Sequence, residues 1–296
     1  MLGTCRLTLL ALLVGEFLAS PASGNSAQAP ASPKAGPAES ASKTLTPSKF
    51  LQNLPAGFTL PLRSDQVGWR LLADYGAVFV ARGGVTPPPC LIFPDAASLA
   101  RWRSGLKIGR ATMAGKVVEL QAPALEALLA ARAEALKAHL NITLRARDGA
   151  ARSYGRTSQL WTWRVQAALA HWVKAGRLSK TDAARLRALA PREQVPEILL
   201  LEQQGLFFSA DFTKPILNSV APPGASQHLS MLALDIRQSD NRKVRAILAR
   251  HGWFQTIPLD LPHFTYLGVP ESQLPSLGLK LVEQKGRPFW VPDLKD

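Results

Sequence analysis

The chain has 296 residues, of which 47% are hydrophobic and 19% charged. That is enough apolar material for one large domain or two small ones, and it excludes a chain too polar to bury a core. The net charge of +14 suits a polyanionic partner, although no Lys/Arg block concentrates it and a basic solvated surface accounts for it equally well.

At the N-terminus Arg6 precedes "LTLLALLVGEFLAS", and the small residues of "SPASG" follow. A positive start, a short apolar run and a small-residue exit predict a secretory signal over residues 1–24, interrupted only by Glu16. If uncleaved, the segment would instead tether the chain to a membrane. Beyond it no stretch approaches the ~20 uninterrupted apolar residues of a transmembrane helix. Export implies a periplasmic or cell-envelope location, where an anionic wall polymer fits the charge better than nucleic acid does. Cys5 lies ahead of the apolar run, so Cys90 is the sole cysteine after cleavage. This excludes an intramolecular disulfide and a thiolate zinc cluster, and Cys90 reads as a small buried hydrophobe.

Residues 25–54, rich in Ala, Ser and Pro, are predicted to form a flexible tether. "GAVFVARG" and "PCLIFP" have strand composition. "DAASLARWRSGL" begins with an N-cap aspartate and continues at helical spacing, and "APALEALLAARAEALKAHL" is the clearest helix. "SQLWTWRVQAALAHWVKAG", "SKTDAARLRAL" and "EQVPEILLLEQQ" follow as helices, the last beginning near Pro196. After residue 204 come the strand-like "GLFFSADF", "SMLALDI" and "HFTYLG", with the helix "NRKVRAILARHGW" between the last two. Helices first and short strands later predict an α+β fold, with a small antiparallel or mixed sheet flanked by several helices. The division is a 55–139 α/β region packed on the core of a 140–296 domain, with no linker between them.

In "SQHLSMLALDI" a carboxylate, Asp235, lies inside an otherwise apolar strand. Strand alternation puts Met231, Ala233 and Asp235 on one face, with Leu232, Leu234 and Ile236 on the core face. In "DLPHFTYLG", His263 and Thr265 share a face. Catalytic zinc takes three N or O ligands and keeps a fourth position for water. His228, Asp235 and His263 supply three, and Asp260 is then placed to take a proton from the water. For His228 and Asp235 alone, a buried hydrogen-bonded pair is the simpler account. His139 and His171, in helices, and His251, at a helix end, read as structural. The seven tryptophans fall mostly at helical spacing and read as core; a saccharide groove lined by Trp253 and Trp290 is the alternative that nothing in the sequence favours.

"SQHLSMLALD" resembles the S-x-H-x-x-G-x-A-x-D motif of the zinc D-alanyl-D-alanine carboxypeptidases of the vancomycin-resistance type. This group of metallopeptidases also includes the hedgehog signalling domain. Ser226, His228, Ala233 and Asp235 match, and "DLPHFTYLG" is similar to the second motif, E-x-W-H before an aromatic strand. The resemblance covers roughly residues 140 to 268, taking the motif spacing as context. It implies Zn2+ on His228, Asp235 and His263, with Asp260 in the place of the catalytic glutamate. It also implies an arginine that holds the substrate carbonyl or carboxylate, either Arg152 of "ARSY" or Arg156 of "YGRTSQ", with Ser226 beside the substrate. The implied activity is hydrolysis of peptidoglycan stem peptides, as a D,D-carboxypeptidase or a cross-link endopeptidase, with no nucleic-acid partner. The alternative is an inactive envelope-binding module that keeps the zinc fold. Met231, Asp260 and Pro262 depart from the motifs, where the family has glycine, glutamate and tryptophan. With Met231 in the glycine position, glycine-only backbone angles and a full-width pocket are not expected there.

Overall fold

The computed structural model describes residues 48–295, so the predicted signal and most of the tether lie outside the described residues. The fold is α+β. Among the described residues no helix is long and apolar enough to cross a membrane.

The folded part begins before residue 55. Ser48 caps a short helix, α1 (Lys49–Gln52), and Phe50 is fully buried in the core. The last residues assigned to the tether are therefore a plug, which an average over composition conceals. In α2 (Gln66–Tyr75), capped by the Asp65 carboxylate, Leu71, Leu72 and Tyr75 face inward. "GAVFV" is not a strand. It continues from α2 as a 3-10 turn, Gly76–Val80, with all five residues buried. Its β-branched and aromatic residues serve burial rather than sheet pairing, and "PCLIFP" is likewise irregular.

Helix α3 (Ala96–Arg103) starts on the predicted aspartate, with Asp95 and Ser98 forming a capping box. An unforeseen hairpin follows, β1 (Ile108–Met113) and β2 (Lys116–Gln121), turning through Ala114 and Gly115, both at positive φ. Next come α4 (Ala122–Lys137), α5 (Tyr154–Lys174), α6 (Lys180–Ala188) and α7 (Pro191–Gln203). Helix α7 starts at Pro191, a position suited to proline, and carries Pro196 within its first turns. "GLFFSADF" forms no strand.

The central sheet has three antiparallel strands in the order β3 (Ala233–Asp235), β5 (His263–Tyr266), β4 (Trp253–Phe254). Helix α8 (Arg242–Arg250) joins β3 to β4, and a hairpin of β6 (Leu279–Gln284) and β7 (Arg287–Pro292) ends the fold. Leu232, Leu234 and Ile236 are fully buried in one apolar cluster with α4, α8, the β1–β2 hairpin, Phe50 and the 76–81 segment. That cluster crosses residue 140, so the two sequence regions share one core. A second cluster joins α2, α5, α6 and α7 to residues 206–221. Trp253 is fully buried in the first cluster and lines no saccharide groove.

Candidate metal centre

The local chain path brings the three predicted ligands together. Ser226 precedes a 3-10 turn, Gln227–Ser230, that carries His228 inward. Met231 ends the turn in the left-handed region (φ 61°, ψ 29°), which lets β3 start two residues later. The glycine position thus keeps a conformation glycine favours although it holds methionine, at a cost on the order of 1–2 kcal/mol. The Met231 side chain is buried and absent from the pocket walls, so it does not narrow the pocket.

On the sheet, Asp235 pairs directly with His263. Ladder bonds run through the flanking pairs, Ile236 N–H to the Pro262 carbonyl and Tyr266 N–H to the Leu232 carbonyl, both 2.8 Å. Asp235 and His263 are therefore a non-hydrogen-bonded pair, the kind whose side chains approach most closely. Residues 144–152 pack against the other edge of β3, where the Asp235 N–H donates to the Gly149 carbonyl at 2.6 Å and Leu144 bridges Ile236. Gly149 permits this approach, since a Cβ there would sit 3.1 Å from the Asp235 carbonyl oxygen.

Neighbouring carbonyls fix both imidazole tautomers. His228 Nδ1 lies 2.6 Å from the Ala150 carbonyl, which can only accept, so Nδ1 carries the proton and Nε2 the lone pair. Gln227 Nε2 donates to the Tyr75 carbonyl at 2.9 Å, which turns its Oε1 toward His263 Nε2, also at 2.9 Å. His263 Nε2 is therefore the donor and Nδ1 the lone pair. These lone pairs meet a single oxygen: Asp235 Oδ1 is 3.3 Å from His228 Nε2 and 3.4 Å from His263 Nδ1. His228 Nε2 is buried without a hydrogen-bond partner. Three electron-pair donors within 4.8 Å of one another, one of them an orphaned buried nitrogen, fit a cation between them. The group can hold a metal ion.

Electrostatics agree with this. Burial pushes the His228 imidazole below its ordinary value, against the charge of Asp235, and so favours the neutral, ligating form. Burial alone would raise the Asp235 carboxyl, but at the low pH where it titrates a protonated His228 imidazole and the Arg152 guanidinium outweigh burial and hold the group well below the usual carboxylate range.

Arg152 is committed to that task. Its Nη2 donates to Asp235 Oδ2 and its Nε to the Asp148 carbonyl at 2.9 Å, so it orients one of the three candidate donors. Arg156 points elsewhere, with Nε on Asp148 Oδ2 at 2.8 Å and its guanidinium over the Trp163 ring at 5.2 Å. Ser226 and Asp260 line the pocket of about 180 Å³ that holds the three ligands. Leu259, at φ +67°, turns the chain just ahead of Asp260. Burial pushes the Asp260 carboxyl up to about 6, with the charge of Asp235 adding and His263, Arg152 and Arg145 opposing.

Sequence reasoning missed Gln227, Arg145 and Arg164. The two arginines line both this pocket and an adjoining chamber of about 540 Å³. Gln227 left one signal, a polar residue beside a ligand in a buried run, whereas the arginines left none. The other histidines stand outside this group, and His139 lies past the end of α4 rather than within a helix. His251 caps α8 and bonds Glu134 at 2.8 Å, His171 stacks on Phe212 at 4.1 Å, and His139 is exposed.

No protein-family model and no curated protein sequence matches the chain. A solved structure is similar. It is a vancomycin-resistance D,D-pentapeptidase, VanY of a VanB-type resistance cassette, crystallised as a mutant in complex with Zn(II). The match has 15% identity and a TM-score of 0.35, and covers 56% of this chain and 82% of that one. A likeness so distant carries no argument, and the metal centre rests on its own geometry.

Proposed function

We propose that this chain is an exported zinc-dependent peptidase that hydrolyses peptidoglycan stem peptides, removing a terminal D-alanine or, in the close variant, cutting a cross-link. One observation carries the reading: two imidazoles of fixed tautomer turn their lone pairs onto one oxygen of Asp235, in a pocket that also holds Asp260. Two neutral imidazoles and a carboxylate suit zinc, which when bound supplies Lewis acidity and makes water nucleophilic near neutral pH. Asp260, with its carboxyl raised to about 6, is matched to a general base working near neutrality. It takes the proton of the attacking water and passes it to the leaving amine. Arg152 holds Asp235 in place, so the positive charge offered to a substrate carboxylate comes from Arg145 and Arg164. The signal-like pattern of residues 1–24 supports export, and a net charge of +14 suits an anionic wall polymer.

The test is cleavage of a muropeptide ending in D-Ala-D-Ala by wild type, Asp260→Ala and Asp260→Glu at equal zinc occupancy. Asp260→Ala should keep its zinc and lose ~100- to 10,000-fold in rate. Asp260→Glu should also lose rate, because a carboxylate one methylene longer no longer meets the water at the distance set by aspartate. Zinc bound in all three with no turnover in any would overturn the peptidase reading in favour of a binding module.

A further inference from the structure

Arg103, the last residue of α3, has an unusual set of partners. Its Nε donates to the Leu229 carbonyl at 2.9 Å, and its Nη2 reaches the carbonyls of Leu229 (2.7 Å), Arg152 (2.8 Å) and His228 (3.4 Å). Every acceptor is a backbone oxygen. Two belong to the 3-10 turn that carries His228, and the third to the residue whose side chain holds Asp235. The two segments also meet directly, through the Arg152 N–H on the His228 carbonyl at 3.3 Å and the Ala150 carbonyl on His228 Nδ1. One guanidinium thus ties together the strands of chain that set two of the three ligands.

The base it reaches from is firmly seated. Helix α3 is fixed at its start by the Asp95–Ser98 capping box, Phe93 packs on Trp102 with centroids 5.2 Å apart, and Tyr154 Oη donates to the Pro94 carbonyl at 3.1 Å. The planar guanidinium presents several donors in a fixed fork, which suits carbonyls arriving from different directions.

We propose that Arg103 is a positioning residue of the metal centre, holding the His228 turn and the Arg152 segment in the register that lets His228 and Asp235 share a cation with His263. The inference rests on the zinc reading above. Removing the guanidinium takes the donor from the Leu229 and Arg152 carbonyls, leaves the His228 carbonyl only its backbone donors, and frees the turn to shift against β3. Outer partners of metal ligands typically contribute ~10- to 100-fold to metal affinity.

The test uses the full chain and the metals alone. Zinc dissociation constants are measured by competition with a chromophoric chelator, and the visible absorption of the cobalt(II)-loaded chain is recorded. The variants are Arg103→Met, Arg103→Lys and a distant control, Arg185→Met, which loses only an exposed ion pair with Glu197. Arg103→Met should bind zinc ~10- to 100-fold more weakly and show an altered cobalt spectrum. Arg103→Lys, which keeps charge and donors without the fork, should fall between it and wild type, and it decides the case if the methionine variant does not fold. The control should match wild type. Arg103 variants with lower melting temperatures but wild-type zinc affinity and cobalt spectrum would overturn the proposal alone. A wild-type chain that binds neither metal would overturn the zinc reading and this proposal together.

Discussion

Gln227→Met separates the metal centre from the fold around it. The Gln227 amide accepts from His263 Nε2 and from the Thr265 hydroxyl, and donates to the Tyr75 carbonyl, all in a buried setting. Methionine fills a similar volume and makes none of these bonds. Thr265 keeps Thr256 as a partner at 2.6 Å, and the Tyr75 carbonyl opens the 3-10 turn Gly76–Val80, so the group orphaned is the His263 N–H. At about 1–3 kcal/mol for that group, the metal-free chain should lose about 1–3 kcal/mol. The lock on the His263 tautomer also goes, and the competing tautomer aims a proton, not a lone pair, at Asp235. With zinc at about 100 times the wild-type dissociation constant, binding stabilises wild type by about 2.7 kcal/mol. An affinity about 10- to 100-fold weaker leaves about 1.4 to 0.4 kcal/mol at the same zinc concentration. Urea denaturation with and without zinc reads both quantities. Gln227→Glu serves as the discriminating variant. Its carboxylate still accepts from His263 but faces the Tyr75 carbonyl with an oxygen, so metal-free stability should fall while zinc stabilisation persists. Full zinc stabilisation in Gln227→Met would refute the tautomer argument.

Three further outcomes are expected. Met231→Gly relieves about 1–2 kcal/mol of left-handed strain but removes a buried side chain at a cost of about 2–5 kcal/mol, so denaturation should show net destabilisation, and a more stable variant would refute the balance. Burial raises the Glu202 carboxyl to about 7, against backbone N–H bonds from Ile216 and Phe208, so the folded chain holds that proton more tightly than the unfolded one does. The associated stability is present below pH ~4.5 and lost as pH rises through ~7, so Glu202→Gln should gain on wild type across that window by up to roughly 3 kcal/mol in urea titrations, and a constant difference between the two would count against it. A chain starting at Gly57 should melt well below one starting at Ser48, because it lacks Phe50, whose loss alone is worth about 3–5 kcal/mol; equal midpoints would show that α1 is dispensable.

The sequence by itself determined the helices with strong local signals. Asp95 capped α3 as expected, the Ala/Leu stretch gave α4, and Gly252 followed α8. It also determined which faces of the two key strands would share a site, because strand alternation leaves Asp235 and His263 no choice once Leu234 and Phe264 are buried. Composition misled where burial, not pairing, explained apolar residues, as in Gly76–Val80 and "GLFFSADF". It also hid Phe50 inside a segment that averages as a tether. The roles of the arginines belonged to the tertiary structure alone. Arg152 turns onto Asp235, Arg156 turns onto Asp148, and Arg103 reaches carbonyls 49 to 126 residues away along the chain. A guanidinium takes whichever acceptors the fold delivers, and backbone carbonyls are the same at every position. No residue pattern announces such a partner, so only the packed structure distinguishes an arginine that faces a substrate from one that holds a ligand in place.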